Sequence, residues 1–425
     1  MMKMNFSLLY IIILSSILVL SECANVLMIV PTPSKSHSFL GHALGHGLVK
    51  NGHNVTMFTP HPQKKQTPNY HVLKLTKVVE VFNAMMNSIG GRTQMNQHYE
   101  LMFQLHKNAA KMAEATLQED NIQEILKSES KFDVIIITSF FNDALIAIGH
   151  HFNAPVIVFQ TVGPSFLTNY LVGNPSPYSY VPEMFLTYSD HMTFIQRLIN
   201  SAFQTILNIL RCLVHYYEQD KILNNYFPNA PNAHELRKQV ALIFTNSHRG
   251  LEYSRPLVPN IIEIGGLHVQ TPQPLSNDLQ KFMDNATDGV IYFSLGTNIH
   301  SKDMPIEMKK NFVNVFSKLK HKVLWKWDDE SISGLTDNVH LSKWYPQSDL
   351  LAHPNLKLFI THGGLLSTTE TVIRGVPCLG IPIFGDQQRN MQTAERLDFA
   401  VTVDFKNVTE KSLTWALNEA LTNPK

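Results

Sequence analysis

Between Phe359 and Asn390 a histidine, a glycine pair, a serine, a glutamate, an aspartate and a glutamine come in that order at close spacing, and those residue types suit a phosphate and a sugar attached to it. The run Leu356 to Ile360 reads as a buried strand, Thr361-His362-Gly363-Gly364 breaks it, and Leu365 to Arg374 has helical character. A strand feeding a glycine turn and then a helix leaves unpaired N–H groups and the positive end of a helix dipole facing outward, which favours an anion. Gly363 and Gly364 let the backbone approach closely, and His362 and Ser367 add side-chain donors. Glu370 lies further along the same helix, placed for a hydroxyl pair such as a ribose. A second apolar strand, Cys378 to Ile383, ends in Gly385-Asp386-Gln387, where a carboxylate beside an amide can hold sugar hydroxyls. The same residues would act as caps in an ordinary strand–turn–helix–strand unit; the complete spacing favours the anion site.

Further groups extend this chemistry. Ser294-Leu295-Gly296-Thr297-Asn298 ends another apolar strand, so Gly296 and Thr297 offer a second backbone approach to phosphate. In Trp344-Tyr345-Pro346-Gln347 an aromatic plane and an amide share a turn, Trp344 to stack on a base and Gln347 to read its edge. Upstream, His37 is expected in a loop after the first strand, with a pKa suited to taking a proton from a hydroxyl near neutral pH. Such a base needs a carboxylate to orient it, and Asp143, after Phe140-Phe141-Asn142, is the candidate; a helix cap is the other reading of Asp143. Arg255 either reaches a ligand across a cleft or is a surface arginine.

Two alternating β/α halves must position these groups. Val26–Val30 is a strand, Phe39–Asn51 a helix and Val55–Thr59 a strand, a βαβ unit opening a parallel sheet. Phe132–Thr138, Val156–Gln160 and Ala241–Thr245 continue it; Val290–Leu295, Val323–Trp327 and Val339–Ser342 begin a second sheet ahead of the glycine turn. The predicted organisation is a targeting segment over 1–23, a first doubly wound domain over 24–265, a linker over 266–285 and a second doubly wound domain over 286–425, incomplete at its C-terminus. Ligands in such sheets gather at the carboxyl ends of the strands. Met192–Val214 has helical spacing with too many polar residues to span a membrane; it either packs one face on the domain or lies in a membrane interface.

Composition excludes some classes. With 425 residues, 44% of them hydrophobic and 16% charged, and a net charge of +1, the chain is globular with no nucleic-acid-binding signature. Lys3 followed by the apolar run Phe6–Leu20 reads as a secretory signal, which predicts a lumenal protein. Cys212 and Cys378, both in apolar runs, give no disulfide framework. Of the sequons at Asn54, Asn285 and Asn407, Asn285 is the favoured acceptor. A nicotinamide-dependent Rossmann enzyme fails because Gly41, Gly45 and Gly47 have the wrong spacing.

The segment Phe359–Gln387 closely resembles the signature of the UDP-glycosyltransferases, which include the UDP-glucuronosyltransferases, and the resemblance covers essentially the whole chain. Pro31–His37 and Arg255–His268 look like the invertebrate, insect-type branch. What the resemblance implies is a GT-B fold of two Rossmann-like domains facing a cleft, and inverting transfer of glucose or glucuronate from a UDP-sugar to a small lipophilic acceptor. No metal, other cofactor or nucleic acid is implied. By that match His37 is the base, Trp344 and Gln347 read uracil, and Gly296, Thr297, His362, Gly364 and Ser367 hold the diphosphate. Glu370 then contacts the ribose, and Asp386 with Gln387 the sugar. The family's partner aspartate falls where this chain has Thr138; Asp143, in the invertebrate pattern Phe-Phe-Asn-Asp, is assigned that role. The family continues into a closing helix and a membrane-spanning helix beyond the last residue here, so a truncated form is expected. The endoplasmic reticulum lumen, membrane association of a full-length form and a possible homo-oligomer are expected with it. A catalytically impaired, UDP-sugar-binding paralogue is the alternative.

Overall fold

The computed structural model describes residues 23–63, 67–89, 98–296, 304–329, 331–383 and 385–423. Its first sheet is seven-stranded and parallel, in the order β3-β2-β1-β4-β5-β6-β7. The strands are β1 (Asn25–Ile29), β2 (Asn54–Thr59), β3 (Tyr70–Lys74), β4 (Val134–Thr138), β5 (Val156–Gln160), β6 (Val240–Thr245) and β7 (Ile261–Glu263). The second sheet is six-stranded, in the order β10-β9-β8-β11-β12-β13. It is built from β8 (Val290–Ser294), β9 (Lys322–Lys326), β10 (Val339–Ser342), β11 (Leu356–Thr361), β12 (Cys378–Gly380) and β13 (Ala400–Thr402). Central strands such as β8 are buried on both faces, which is why they read as continuous apolar runs.

Three sequence expectations change. The helix after β1 begins at Lys35, not Phe39, because Ser34 adopts an extended conformation at its N-terminus and accepts the amide of His37. The polar run Ser34–Ser38 reads as a loop but is a cap and first helical turn, so His37 sits on a helix. The expected linker also shrinks. Asn277–Asp284 is helical, and its Met283 packs with Val290 and Phe359 in the second core. Finally, Phe194–Leu210 turns its apolar residues both ways: Phe203 and Leu207 are buried, whereas Phe194, Ile195 and Leu198 are exposed.

The two halves touch through a charged seam. Arg389 Nη2, on the second domain's helix Gln387–Arg396, lies 2.9 Å from Glu252 Oε2 of the first domain, and Arg255 Nη2 lies 3.6 Å from the same oxygen. Beside that seam is a cavity of about 50 Å³, lined from both domains by Gly163, His248, Glu252, Thr368, Asp386 and Asn390. Removing Glu252 would leave the Arg255 and Arg389 guanidiniums opposed without the carboxylate that bridges them. Glu252→Ala is therefore expected to lower unfolding free energy by about 3 kcal/mol, read from the urea midpoint. An unchanged midpoint would show that the seam contributes nothing to stability.

Candidate active site

The second sheet delivers its polar residues at the carboxyl ends of neighbouring strands. β8 and β11 pair in register with Ser294 opposite Thr361, so Gly296 and His362 leave the sheet side by side. Gly296 (φ +82°) and Gly363 (φ +81°) are both left-handed, a region that favours glycine. A Cβ on Gly296 would lie 2.6 Å from His362 Cε1, and one on Gly364 2.8 Å from the same atom. The imidazole thus fills the space that two side chains would occupy. Burial lowers its pKa to about 4, with Lys326 adding to the effect, so the ring is neutral near pH 7. His362 Nδ1 is buried and has no hydrogen-bond partner among the described residues. Gly364 caps the helix Leu365–Arg374, whose first amides have no intrahelical acceptor. A buried, unpaired ring nitrogen beside free amides is a fitting receptor for a phosphoryl oxygen.

Around this turn the other groups are tied together. Trp344 is 68% exposed and presents an aromatic plane in the turn after β10. Gln347 Nε2 donates to Ser367 Oγ at 3.0 Å and to the Glu370 carboxylate, which links the aromatic turn to the glycine-turn helix. Burial raises the pKa of Glu370 to about 7. Asp386 is also raised by burial, while Asn390 opposes the shift by donating to its Oδ2 at 2.9 Å. The same Asn390 amide donates to the Gly363 carbonyl at 3.0 Å, joining the Asp386 turn to the glycine turn. Gln387 Oε1 accepts from the Ile383 amide at 2.8 Å and so braces its own loop. Thr297 lies outside the described residues.

In the first domain, His37 is half-buried and burial alone lowers its pKa to about 4. The hydroxyl of Thr161, immediately after β5, lies 3.2 Å from His37 Nδ1 and 3.4 Å from Nε2. Asn246, immediately after β6, donates to the Thr161 carbonyl at 3.1 Å.

Asp143 does not orient His37. It begins a short 3-10 turn, is buried, and lies 3.1 Å from His215 Nε2, off hydrogen-bond alignment, while accepting from the Tyr170 hydroxyl. Burial works to raise its pKa, but His215, Tyr170 and Arg211 together hold it below the usual carboxylate value. Phe141 is left-handed (φ 56°) and Gln219 accepts the Ala144 amide, and this tight turn commits Asp143 to the helical layer. Thr138, where the expected carboxylate falls, has a buried hydroxyl without a partner among the described residues. Arg255 is not a surface arginine; its side chain is 6% exposed, and it donates to the Pro164 carbonyl in the interdomain seam.

Three groups escaped the sequence reading: Lys326, Thr161 and Asn390. Lys326 ends β9, donates to the Gly296 carbonyl, and stands 5.6 Å from the Trp344 ring. The signal for it was topological, since a cation at a parallel strand's carboxyl end enters the same rim as Gly296.

Comparison with known proteins identifies the fold and the family. A solved glycotransferase of kitacinnamycin superposes with a TM-score of 0.64 at 17% identity, covering 95% of this chain and 92% of that one. Phytolacca americana UGT2, complexed with UDP-2fluoro-glucose and pterostilbene, gives 0.58 at 18% identity over 94% of this chain and 91% of that one. The fold is therefore GT-B: two parallel-sheet domains facing a cleft. UDP-glycosyltransferase UGT5 of Dactylopius coccus is 32% identical, with 98% of this chain and 80% of that protein covered. UDP-glycosyltransferase UGT4 of the same insect is 34% identical over 94% of this chain and 79% of that protein. The family described as UDP-glucoronosyl and UDP-glucosyl transferase matches residues 28–425, and the chain belongs to it: a UDP-glycosyltransferase, which moves a glycosyl group from a UDP-sugar.

Two substitutions test the rim. Lys326→Met is expected to weaken UDP binding about tenfold by calorimetry, the loss of one charge-assisted contact. Gly296→Ala should weaken it comparably, because a left-handed alanine must displace the His362 ring. Native affinity in both would detach β8 and β9 from nucleotide binding.

Proposed function

We propose that the enzyme transfers a hexose, glucose or glucuronate, to a hydroxyl of a small lipophilic acceptor with inversion at the anomeric carbon. The observation that carries this reading is the packing of two helices across the cleft. Leu366, in the glycine-turn helix, packs on the same apolar cluster as Leu40, one turn beyond His37. Lys35, two residues before His37, is near enough to Lys326 to lower its pKa, although burial is the larger cause. A base on one wall and an anion rim on the other suit attack from the side opposite the leaving UDP. The structure of Phytolacca americana UGT2 with UDP-2fluoro-glucose and pterostilbene supports the donor and acceptor classes.

In this mechanism the acceptor oxygen bonds to the anomeric carbon as the carbon–oxygen bond to UDP breaks. Its proton passes to a ring nitrogen of His37, and the growing diphosphate charge is met by Lys326, the His362 N–H and the amides that open the helix at Leu365. These groups supply the countercharge without a metal in our reading. Thr161 holds the ring but bears no charge to stabilise an imidazolium, so this base is weaker than one backed by a carboxylate. That same observation favours the second reading, an impaired paralogue that binds UDP-sugar and transfers slowly. We further propose a lumenal, membrane-associated location in the endoplasmic reticulum, supported by the apolar segment Phe6–Leu20 and the exposed sequon at Asn285.

His37→Ala is expected to cut turnover by about a hundredfold while UDP affinity persists. Because a base works when deprotonated, a pKa of about 4 keeps kcat/KM level from neutral pH down, falling only as pH drops through that value. Thr161→Val should lower kcat more than it changes KM, and Thr161→Ser should restore it. UDP release from a panel of UDP-sugars with phenols, flavonoids and steroids reads both. No release with any pair, together with tight UDP binding, would establish the impaired paralogue.

A further inference from the structure

The helix Phe194–Leu210, continued by the π-helical segment Arg211–His215, is inside out relative to an ordinary surface helix. Phe194 (69% exposed), Ile195, Leu198, Ile199, Ile209 and Leu213 (71%) all face solvent. Ala202 and Cys212 are exposed on the same stripe. The opposite face buries amides: Asn200 Nδ2 donates to the Tyr178 and Val181 carbonyls at 2.7 and 3.0 Å, and Gln204 Nε2 to the Val181 carbonyl at 3.1 Å. Asn208 donates to the Tyr178 hydroxyl at 2.8 Å. These bonds, with Phe203 and Leu207 buried between them, fix the rotation of the helix. It cannot roll its apolar stripe inward without stranding several buried amides.

Charge decides what covers the stripe. Between Asp190 and Glu218 there is no acidic residue, and the only arginines or lysines are Arg197 and Arg211. Arg197 is exposed at the start of the stripe. A second copy docked through the same stripe would offer Arg197 no carboxylate, since the segment has none. A bilayer surface supplies the complement, acyl chains for the apolar stripe and anionic headgroups for Arg197. We propose that this stripe is an interfacial membrane anchor lying in the plane of an anionic lipid surface. It deepens the membrane association proposed above and is independent of the transfer chemistry.

Cys212 provides a native reporter on the stripe, since Cys378 is buried and Cys23 can be removed as Cys23→Ser. An environment-sensitive thiol dye on Cys212 of the full chain should shift to the blue with phosphatidylcholine–phosphatidylserine vesicles, and less with phosphatidylcholine alone. Ile195→Glu with Leu198→Glu, both at exposed positions, should weaken that titration at least about tenfold, with UDP affinity unchanged as the check on folding. No shift with either vesicle would overturn the proposal. So would an equal titration by the double variant, which would trace lipid binding to another segment. A shift that rises with protein concentration in the absence of lipid would also overturn it, in favour of a second copy.

Discussion

The site depends on three positions having no side chain. Gly296, Gly363 and Gly364 surround the His362 ring and its turn so tightly that a Cβ at any of them would fall within 2.8 Å of a neighbouring atom. The ring can therefore occupy the gap between two strand ends, neutral and with one nitrogen unpaired, directly beside the free amides of a helix. Met391, against which a Cβ on Gly363 or Gly380 would also collide, closes the turn from behind. A pyrophosphate at this point meets fixed dipoles, which need no reorganisation as charge develops.

Parallel sheets explain why so much chemistry converges there. Every strand of the second sheet that leads into the site ends on the same rim: Lys326 ends β9, and the loops after β8, β10, β11 and β12 carry Gly296, Trp344, His362 and Asp386. The first sheet repeats the arrangement with His37 after β1 and Thr161 after β5. Its departure is the carboxylate. Asp143 is paired with His215 and Tyr170 in a buried polar cluster, so the imidazole of His37 has a hydroxyl as its neighbour instead.

Local signals in the sequence were legible where one element carried the whole feature. The helix Leu365–Arg374 and the strands Val156–Gln160 and Val339–Ser342 match the expected boundaries, because glycine turns and apolar runs bracket them. Tyr70–Lys74, Ile261–Glu263 and Ala400–Thr402 escaped, being short strands on or near sheet edges with mixed polarity. Pairings between distant elements were the least accessible. Nothing in Phe-Phe-Asn-Asp shows that Gln219, far along the chain, will turn Asp143 toward His215, and nothing near Arg255 shows the Glu252–Arg389 seam. Likewise the helical spacing of Met192–Val214 was readable, but which face would be buried depended on carbonyls at Tyr178 and Val181.

Amide hydrogen exchange on the full chain, with and without saturating UDP, tests the central claim most directly. Exchange should slow in peptides spanning Ser294–Gly296 and Thr361–Ser367, where the amides and the imidazole meet the diphosphate. Saturation by UDP with exchange unchanged in both peptides would contradict the account.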